Sequence, residues 1–182
     1  AAMFDRSQNG SYTGADGKVL CATDHPCVGN SGTFSNRPDV NADLGMTVLE
    51  AALSAYESTV DDYGDPIILQ PERLLIGQSN RFIAAQLLKD MDKAGTANRD
   101  INAVKEEFPG LKAFIYPYLT DTDSWYLLNS MSERQMFTWI REKINKRMYT
   151  APDNTLDAIF LSRFRSTVGW LDPRGIYGST GG

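Results

Sequence analysis

The apolar residues between positions 44 and 128 change from helical to extended spacing and back, and the changes fall near prolines and glycines. After residue 43 they recur every four and three residues, on one face of a predicted helix: Leu49, Leu53, Tyr56, Val60 and Tyr63. Gly64, Asp65 and Pro66 end this helix, because proline disfavours helix in the residue before it. This alternation predicts a mixture of helices and short strands.

Four short segments predict strands. Residues 67–69 and 73–76 are aliphatic runs bounded by proline and glycine, which is typical of strands buried on both faces. Residues 111–119 predict a further strand. The aspartates of residues 121–124 predict a turn, so we expect residues 125–128 to form the returning strand.

A second helix is predicted from Ser79 or Asn80 to about Lys93. Its inward face is formed by Ile83, Leu87 and Met91, with Ala84 and Leu88 beside them. Residues 136–148 fit a helix by their spacing and a strand by their aromatic and β-branched content. Residues 158–168 predict a last strand, and the glycine-rich residues 175–182 predict a flexible or docking tail. The fold class expected is α+β.

The ionisable side chains are unevenly distributed along the chain. The whole sequence carries a net charge of −5, but residues 1–130 carry −8 and residues 131–182 carry +3. A net acidic chain argues against a dedicated nucleic-acid-binding protein. An acidic part joined to a basic part favours head-to-tail contacts between copies. The apolar runs are much shorter than the ~18 residues of a membrane-spanning helix.

The candidate chemistry is sparse, because the chain has one histidine and two cysteines. Cys21, His25 and Cys27 could ligate zinc, and a small zinc-dependent hydrolase is one alternative function. Their spacing is not that of a standard zinc knuckle, and no further cysteine or histidine exists as a fourth ligand. The other interpretation is two free thiols and a loop histidine, and the residues alone favour a binding or assembly protein without a catalytic site.

One cluster of basic residues lies near the C-terminal end. It consists of Arg141, Lys143, Lys146 and Arg147. Three interpretations stay open at this stage: a solvated face, a contact with the acidic surface of a neighbouring copy, or a nucleic-acid-binding module.

Five groups of motifs occur in a defined order along nearly the whole chain. They lie within residues 20–36, 49–76, 84–88, 116–128 and 163–179. The first contains Leu-Cys-Ala-Thr-Asp-His-Pro, and the last contains Arg-Phe-Arg followed by Gly-Trp and Asp-Pro-Arg-Gly-Ile-Tyr-Gly-Ser. In this order the motifs resemble the C-terminal part of a tailed-bacteriophage major capsid (major head) protein, in the style of the Mu-like head-subunit group.

The resemblance implies the Hong Kong 97 phage coat fold. It implies an axial domain and the C-terminal strands of the peripheral domain, in a chain that lacks the N-terminal arm, the extended loop and the spine helix. On this basis residues 1–43 are a turn-rich connection on the peripheral-domain side, residues 44–150 are the axial domain, and residues 151–182 return to the peripheral domain and end in a tail.

The resemblance also implies a function. It predicts a structural subunit of an icosahedral capsid in the virion, without enzymatic activity, cofactor or metal, assembled in the host cytoplasm. Its partners would be other copies in pentamers and hexamers, portal, scaffold or decoration proteins, and packaged double-stranded DNA through weak contacts. The residues expected to contact neighbouring subunits are Arg141, Lys143, Lys146, Arg147, Trp170, Arg174 and Tyr177.

Overall fold

The computed structural model describes residues 3–29, 31–89, 102–130, 135–150 and 158–182. The elements are, in chain order, β1 (His25–Pro26), β2 (Thr33–Phe34), α1 (Met46–Glu57), β3 (Arg73–Ile76), α2 (Arg81–Lys89), α3 (Ala103–Glu107), β4 (Lys112–Ile115), β5 (Trp125–Leu128), β6 (Met136–Thr150), β7 (Ala158–Trp170) and β8 (Ile176–Ser179). The expected α+β class is confirmed, whereas the division into axial and peripheral parts stays a prediction.

A four-stranded sheet with the order β4–β3–β5–β8 lies at the centre of the fold. β3 runs parallel to β4 and antiparallel to β5, and β5 runs antiparallel to β8. All residues of β5 and β8 are buried, whereas β4 at one edge is largely exposed. Both faces of the inner strands are covered, which is why their sequences are continuous apolar runs rather than alternating ones.

The three helices contribute to the core on one face of this sheet. Leu49 and Leu53 of α1 and Leu87 of α2 belong to the same buried cluster as Leu74 and Trp125 of the sheet. Each such leucine stabilises the fold by about 1.5–3 kcal/mol through burial.

The N-terminal segment covers the other face. Tyr126 of β5 is buried there with Leu20 and Cys21, and half-buried Phe4 packs against them. The Tyr126 hydroxyl lies 2.8 Å from the Ser7 hydroxyl and donates to the Phe4 carbonyl at 2.9 Å. The polar end of a buried tyrosine is thus fixed by the first residues that the structure describes.

β6 and β7 form a separate antiparallel sheet of two strands, here called the β6–β7 hairpin. No side chain from Phe137 to Met148, or from Ala158 to Val168, is buried. The pairing register shifts twice in β6 between Ile140 and Asn145. The residues whose periodicity fitted both helix and strand are thus a strand. No helix of the described ranges is long and apolar enough to cross a membrane.

The predicted first helix ends earlier than its apolar periodicity suggests, and the strand predicted at residues 67–69 is not present. α1 stops at Glu57 because the chain turns at Asp61, whose carboxylate accepts the amide hydrogens of Tyr63 at 2.8 Å and Asp65 at 2.9 Å. These bonds lower the pKa of the Asp61 carboxyl group, and the bond from the Asp65 amide has the largest effect. Tyr63 and Ile68 are consequently exposed rather than buried.

The inward face of the second helix agrees in part with the one predicted. Ala84 and Leu87 are buried, whereas Ile83 is exposed. α2 begins at Arg81, close to the expected Ser79 or Asn80. The predicted positions of Met91 and of the helix end at Lys93 lie outside the described residues.

Two expectations, one about the pairing of β5 and one about the C-terminal residues, were wrong. β5 does not pair with β4 as a returning strand, because β3 lies between them. Residues 175–182 are not a flexible tail, because they contain the buried strand β8. Gly178 in that strand faces the ring of Tyr126, so glycine here provides room for an aromatic side chain rather than flexibility.

Candidate functional site

The three residues considered as zinc ligands take part in the internal packing instead. The His25 ring is fully buried, with Nδ1 2.6 Å from an Asp16 carboxylate oxygen and Nε2 3.1 Å from the Asn36 amide oxygen. Cys21 and Cys27 are buried and unoxidised. Within the described ranges, no group of three or more histidines, cysteines or acidic residues could hold a metal ion.

We predict that Cys21 is unreactive in the folded protein. Complete burial raises the pKa of its thiol to about 12, so at pH 8 roughly one molecule in ten thousand carries the reactive thiolate. Titration with an aromatic disulfide reagent should label Cys21 only after denaturation, at least 100-fold more slowly in the native state. Peptide mapping identifies the labelled residue, and rapid native labelling of Cys21 would contradict its burial.

Arg174, one of the expected contact residues, is fixed within the subunit. Its guanidinium donates to the Asp62 carboxylate at 2.6 Å and to the Val60 carbonyl at 2.9 Å, and it lies 4.5 Å from the centre of the Phe34 ring. Partial burial acts to lower the pKa of Arg174, but the bond to Asp62 and the charge of Asp172 outweigh it and raise the pKa. This network ties the chain before β8 to the turn after α1.

Two other expected contact residues lie at or near the core. Tyr177 is buried on the helix-covered face of the sheet. Trp170, at the end of β7, is half-buried against the cluster that contains Tyr126. Their roles at a subunit boundary stay predictions.

The four basic residues predicted as a cluster all lie on β6, in the exposed β6–β7 hairpin. Paired residues on neighbouring strands share a face of the sheet. The register therefore shows which face each paired residue of β6 and β7 occupies. The two faces differ in chemistry.

One side, here called the apolar face, carries mainly aliphatic and aromatic residues, together with Lys146, which pairs with Ser162. Ser166 pairs with Ile140 and Phe160 with Met148, and the alternation along β7 adds Phe164 and Val168. The exposed fractions of these apolar side chains range from 36% for Val168 to 77% for Phe160. Clustered exposure of this kind marks an interaction surface in a folded protein.

The opposite side, here called the charged face, carries three arginines and one glutamate. Arg165 pairs with Glu142, Arg163 with Asn145, and Arg147 with Leu161. Glu142 forms ion pairs with both Arg163, at 3.1 Å, and Arg165, at 3.9 Å. A groove of about 450 Å³ runs along this face, lined by Glu142, Lys143, Asn145, Arg147, Leu161 and Arg163.

The basic residues of β6 were predicted from the sequence, whereas Arg163 and Arg165, which face Asn145 and Glu142 from β7, were missed. The sequence did contain a signal for this placement. Arg163 and Arg165 alternate with Ser162 and Phe164, as residues on opposite faces of a strand do. The partner strand and its register were needed to show which residues share a face.

The described residues therefore define an α+β protein whose most exposed element is a two-faced β-hairpin. No family model matches the sequence, and no curated protein matches it. A solved structure described as a virus-like particle from Pyrococcus furiosus is similar to it with a TM-score of 0.43 and 11% identity. The match covers 79% of this chain and 55% of that one, so the chain spans about half the length of that protein. A TM-score this low does not establish a shared fold.

Proposed function

We propose that this chain is a structural subunit of an icosahedral phage capsid. Copies of it would assemble into pentamers and hexamers that enclose double-stranded DNA, with the Hong Kong 97 coat fold that the sequence motifs suggest. The observation that carries the proposal is the apolar face of the β6–β7 hairpin, which nothing in the described part of the subunit covers.

The apolar face requires a partner for physical reasons. A two-stranded sheet is marginally stable on its own in water, and three or more strands or a packed layer are needed to stabilise it. Phe160 and Phe164 project from a sheet in which no described residue from Ala158 to Val168 is buried. Burying each of these rings against a partner would stabilise the contact by about 1.5–3 kcal/mol.

A second copy of the chain is the partner that the charges favour. The two strands of the hairpin hold six basic residues and one acidic residue, a net charge of +5. Since the whole chain carries −5, the remainder carries −10. The hairpin of one copy is therefore attracted to the body of the next, and head-to-tail contacts that close generate rings.

The proposed role is structural and not enzymatic. Shell assembly needs many modest contacts repeated by symmetry rather than a reacting group. Under this proposal the chain belongs to the virion, and portal, scaffold and decoration proteins would be its further partners.

The test compares assembly by the full chain and by a double variant, Phe160→Ser with Phe164→Ser. Negative-stain electron microscopy and sedimentation velocity should show rings or shells for the parent protein and subunit-sized particles for the variant. The reason is the loss of both aromatic rings from the apolar face.

Phe114→Ser is the matched control, because Phe114 is also a half-exposed phenylalanine but lies on β4, away from the hairpin. It should assemble like the parent. A parent chain that stays monomeric under all assembly conditions would overturn the proposed function. Equal loss of assembly in both variants would show that the hairpin is not the determining surface.

A further inference from the structure

We propose that the charged face of the β6–β7 hairpin binds the phosphate backbone of nucleic acid without reading its base sequence. This inference concerns the side opposite the apolar face and does not depend on shell assembly. The two faces of a two-stranded sheet point in opposite directions, so a neighbour that covers the apolar face leaves the charged face open.

Cationic groups outnumber carboxylates along this face. Arg163, Arg165 and Lys143 surround one carboxylate, Glu142, which leaves an excess of two positive charges. Arg163 and Arg165 remain more than half exposed in spite of their ion pairs with Glu142. A single carboxylate shared by two guanidinium groups leaves donors that can bind another anion.

The type and spacing of the cations also favour phosphate. Two of the three are arginines, whose planar guanidinium groups bind phosphate oxygens in bidentate fashion. Arg163 and Arg165 are two residues apart on one strand, which places them about 7 Å apart in a row. A straight row of cations on an extended strand fits a linear polyanion better than a single small anion.

Aromatic rings lie on the same face. Trp139 pairs with Thr167 and Phe137 with Gly169, and the Phe137 ring lies close to the Gly169 backbone. Trp139 is 64% exposed. Exposed rings beside arginines can stack on unpaired bases without sequence preference, and a two-stranded ribbon is narrow enough to enter a major groove.

Carboxylates of a neighbouring copy are the competing partner, and the body engages several of its own internally. Asp62 and Asp172 lie on Arg174, Asp16 lies on His25, and Asp24 lies on Lys18. These groups are less available to a second chain than their number suggests. The charge of the body can still steer copies together over a longer distance, while phosphates occupy the charged face.

Fluorescence anisotropy with the full chain tests the proposal, using labelled 30-base-pair DNA, 30-base-pair RNA and 30-nucleotide single-stranded DNA as probes. For about three phosphate contacts the logarithm of DNA affinity should fall with the logarithm of salt at a slope near −2.7. Affinity for duplex DNA should therefore drop about 40-fold between 50 and 200 mM salt. The three probes distinguish DNA from RNA and duplex from single strand.

The decisive variant is Arg163→Gln with Arg165→Gln. It should lower the slope to about −1, so that the same change in salt weakens DNA binding only about fourfold. Lys89→Gln with Lys112→Gln removes two exposed charges from the body and should leave the slope unchanged. Binding to single-stranded DNA should also quench the fluorescence of Trp139, and Trp139→Phe should remove that part of the signal.

Three results would overturn the inference. The first is no binding of any probe at 50 mM salt. The second is equal loss of binding in the arginine variant and the lysine control. The third is a loss of self-association in the arginine variant with unchanged nucleic-acid binding, which would assign the charged face to a neighbouring copy. Because assembly is tested on the opposite face by Phe160 and Phe164, failure of one proposal is distinguishable from failure of the other.

Discussion

Replacing Asn36 with alanine should lower the free energy of unfolding by about 4 kcal/mol. The Asn36 side chain is buried and accepts the Ala22 amide hydrogen at 2.8 Å, while its amide nitrogen donates to the Leu20 carbonyl at 2.8 Å and the Pro173 carbonyl at 3.3 Å. His25 Nε2 also faces its oxygen. Alanine would leave at least three of these buried groups without a partner, at about 1–3 kcal/mol each.

The orientation of Asn36 makes this position sensitive to charge as well. Its oxygen faces an amide donor and its nitrogen faces a carbonyl, so Asn36→Asp would place a carboxylate oxygen against the Leu20 carbonyl. This variant should also be strongly destabilised, because two acceptors would face each other in a buried site.

Urea denaturation measures both variants, and Asn9→Ala is the matched control. Asn9 is exposed and its side chain accepts only a local bond, from the Ser11 amide at 3.0 Å, so its replacement should change stability by less than about 0.5 kcal/mol. A loss below about 1 kcal/mol in Asn36→Ala would contradict the network described around this residue.

Replacing Gly178 with alanine should cost about 3 kcal/mol of folding free energy. A β-carbon at position 178 would lie 2.2 Å from Cδ1 of Tyr126 and 3.1 Å from Sγ of Cys21. The Tyr126 ring cannot easily move aside, because its hydroxyl is held by Ser7 and by the Phe4 carbonyl. Overpacking at a fixed ring forces strain in the side chain or a shift of β8.

Thermal unfolding compares this variant with Gly110→Ala, in which the added β-carbon meets no atom within 4 Å. The control should remain within about 0.5 kcal/mol of the parent. A parent-like melting temperature for Gly178→Ala would show that β8 does not pack on Tyr126 as described. The double change Gly178→Ala with Tyr126→Leu should cost less than the sum of the two single changes, because Tyr126→Leu removes the ring that the methyl group meets.

Local periodicity was sufficient for several elements of the fold. Spacing alone predicts the helical face of Leu49, Leu53 and Tyr56 and the apolar runs of β3 and β5. The reason is that the order of apolar and polar residues differs between an element buried on one face and an element buried on both. Val60 and Ile68 show the limit of this argument. Both fit an apolar pattern, yet the hydrogen bonds of Asp61 turn the chain between them.

The candidate site was predicted only in part. The basic residues of β6 were visible as a cluster, but their position on one or the other face of the hairpin depends on two register shifts in β6. A shift by one residue moves a side chain to the opposite face, so no reading of β6 alone could separate the apolar face from the charged face.

The sequence by itself determined the α+β class, the first two helices and the inner strands, since those depend on residues close together in the chain. The tertiary structure decided the rest. It inserted β3 between β4 and β5, brought Asn36 to Pro173, and placed Gly178 against Tyr126. Contacts between residues this far apart in the chain are selected by the packing of the whole core, and the spacing of neighbouring residues does not encode them.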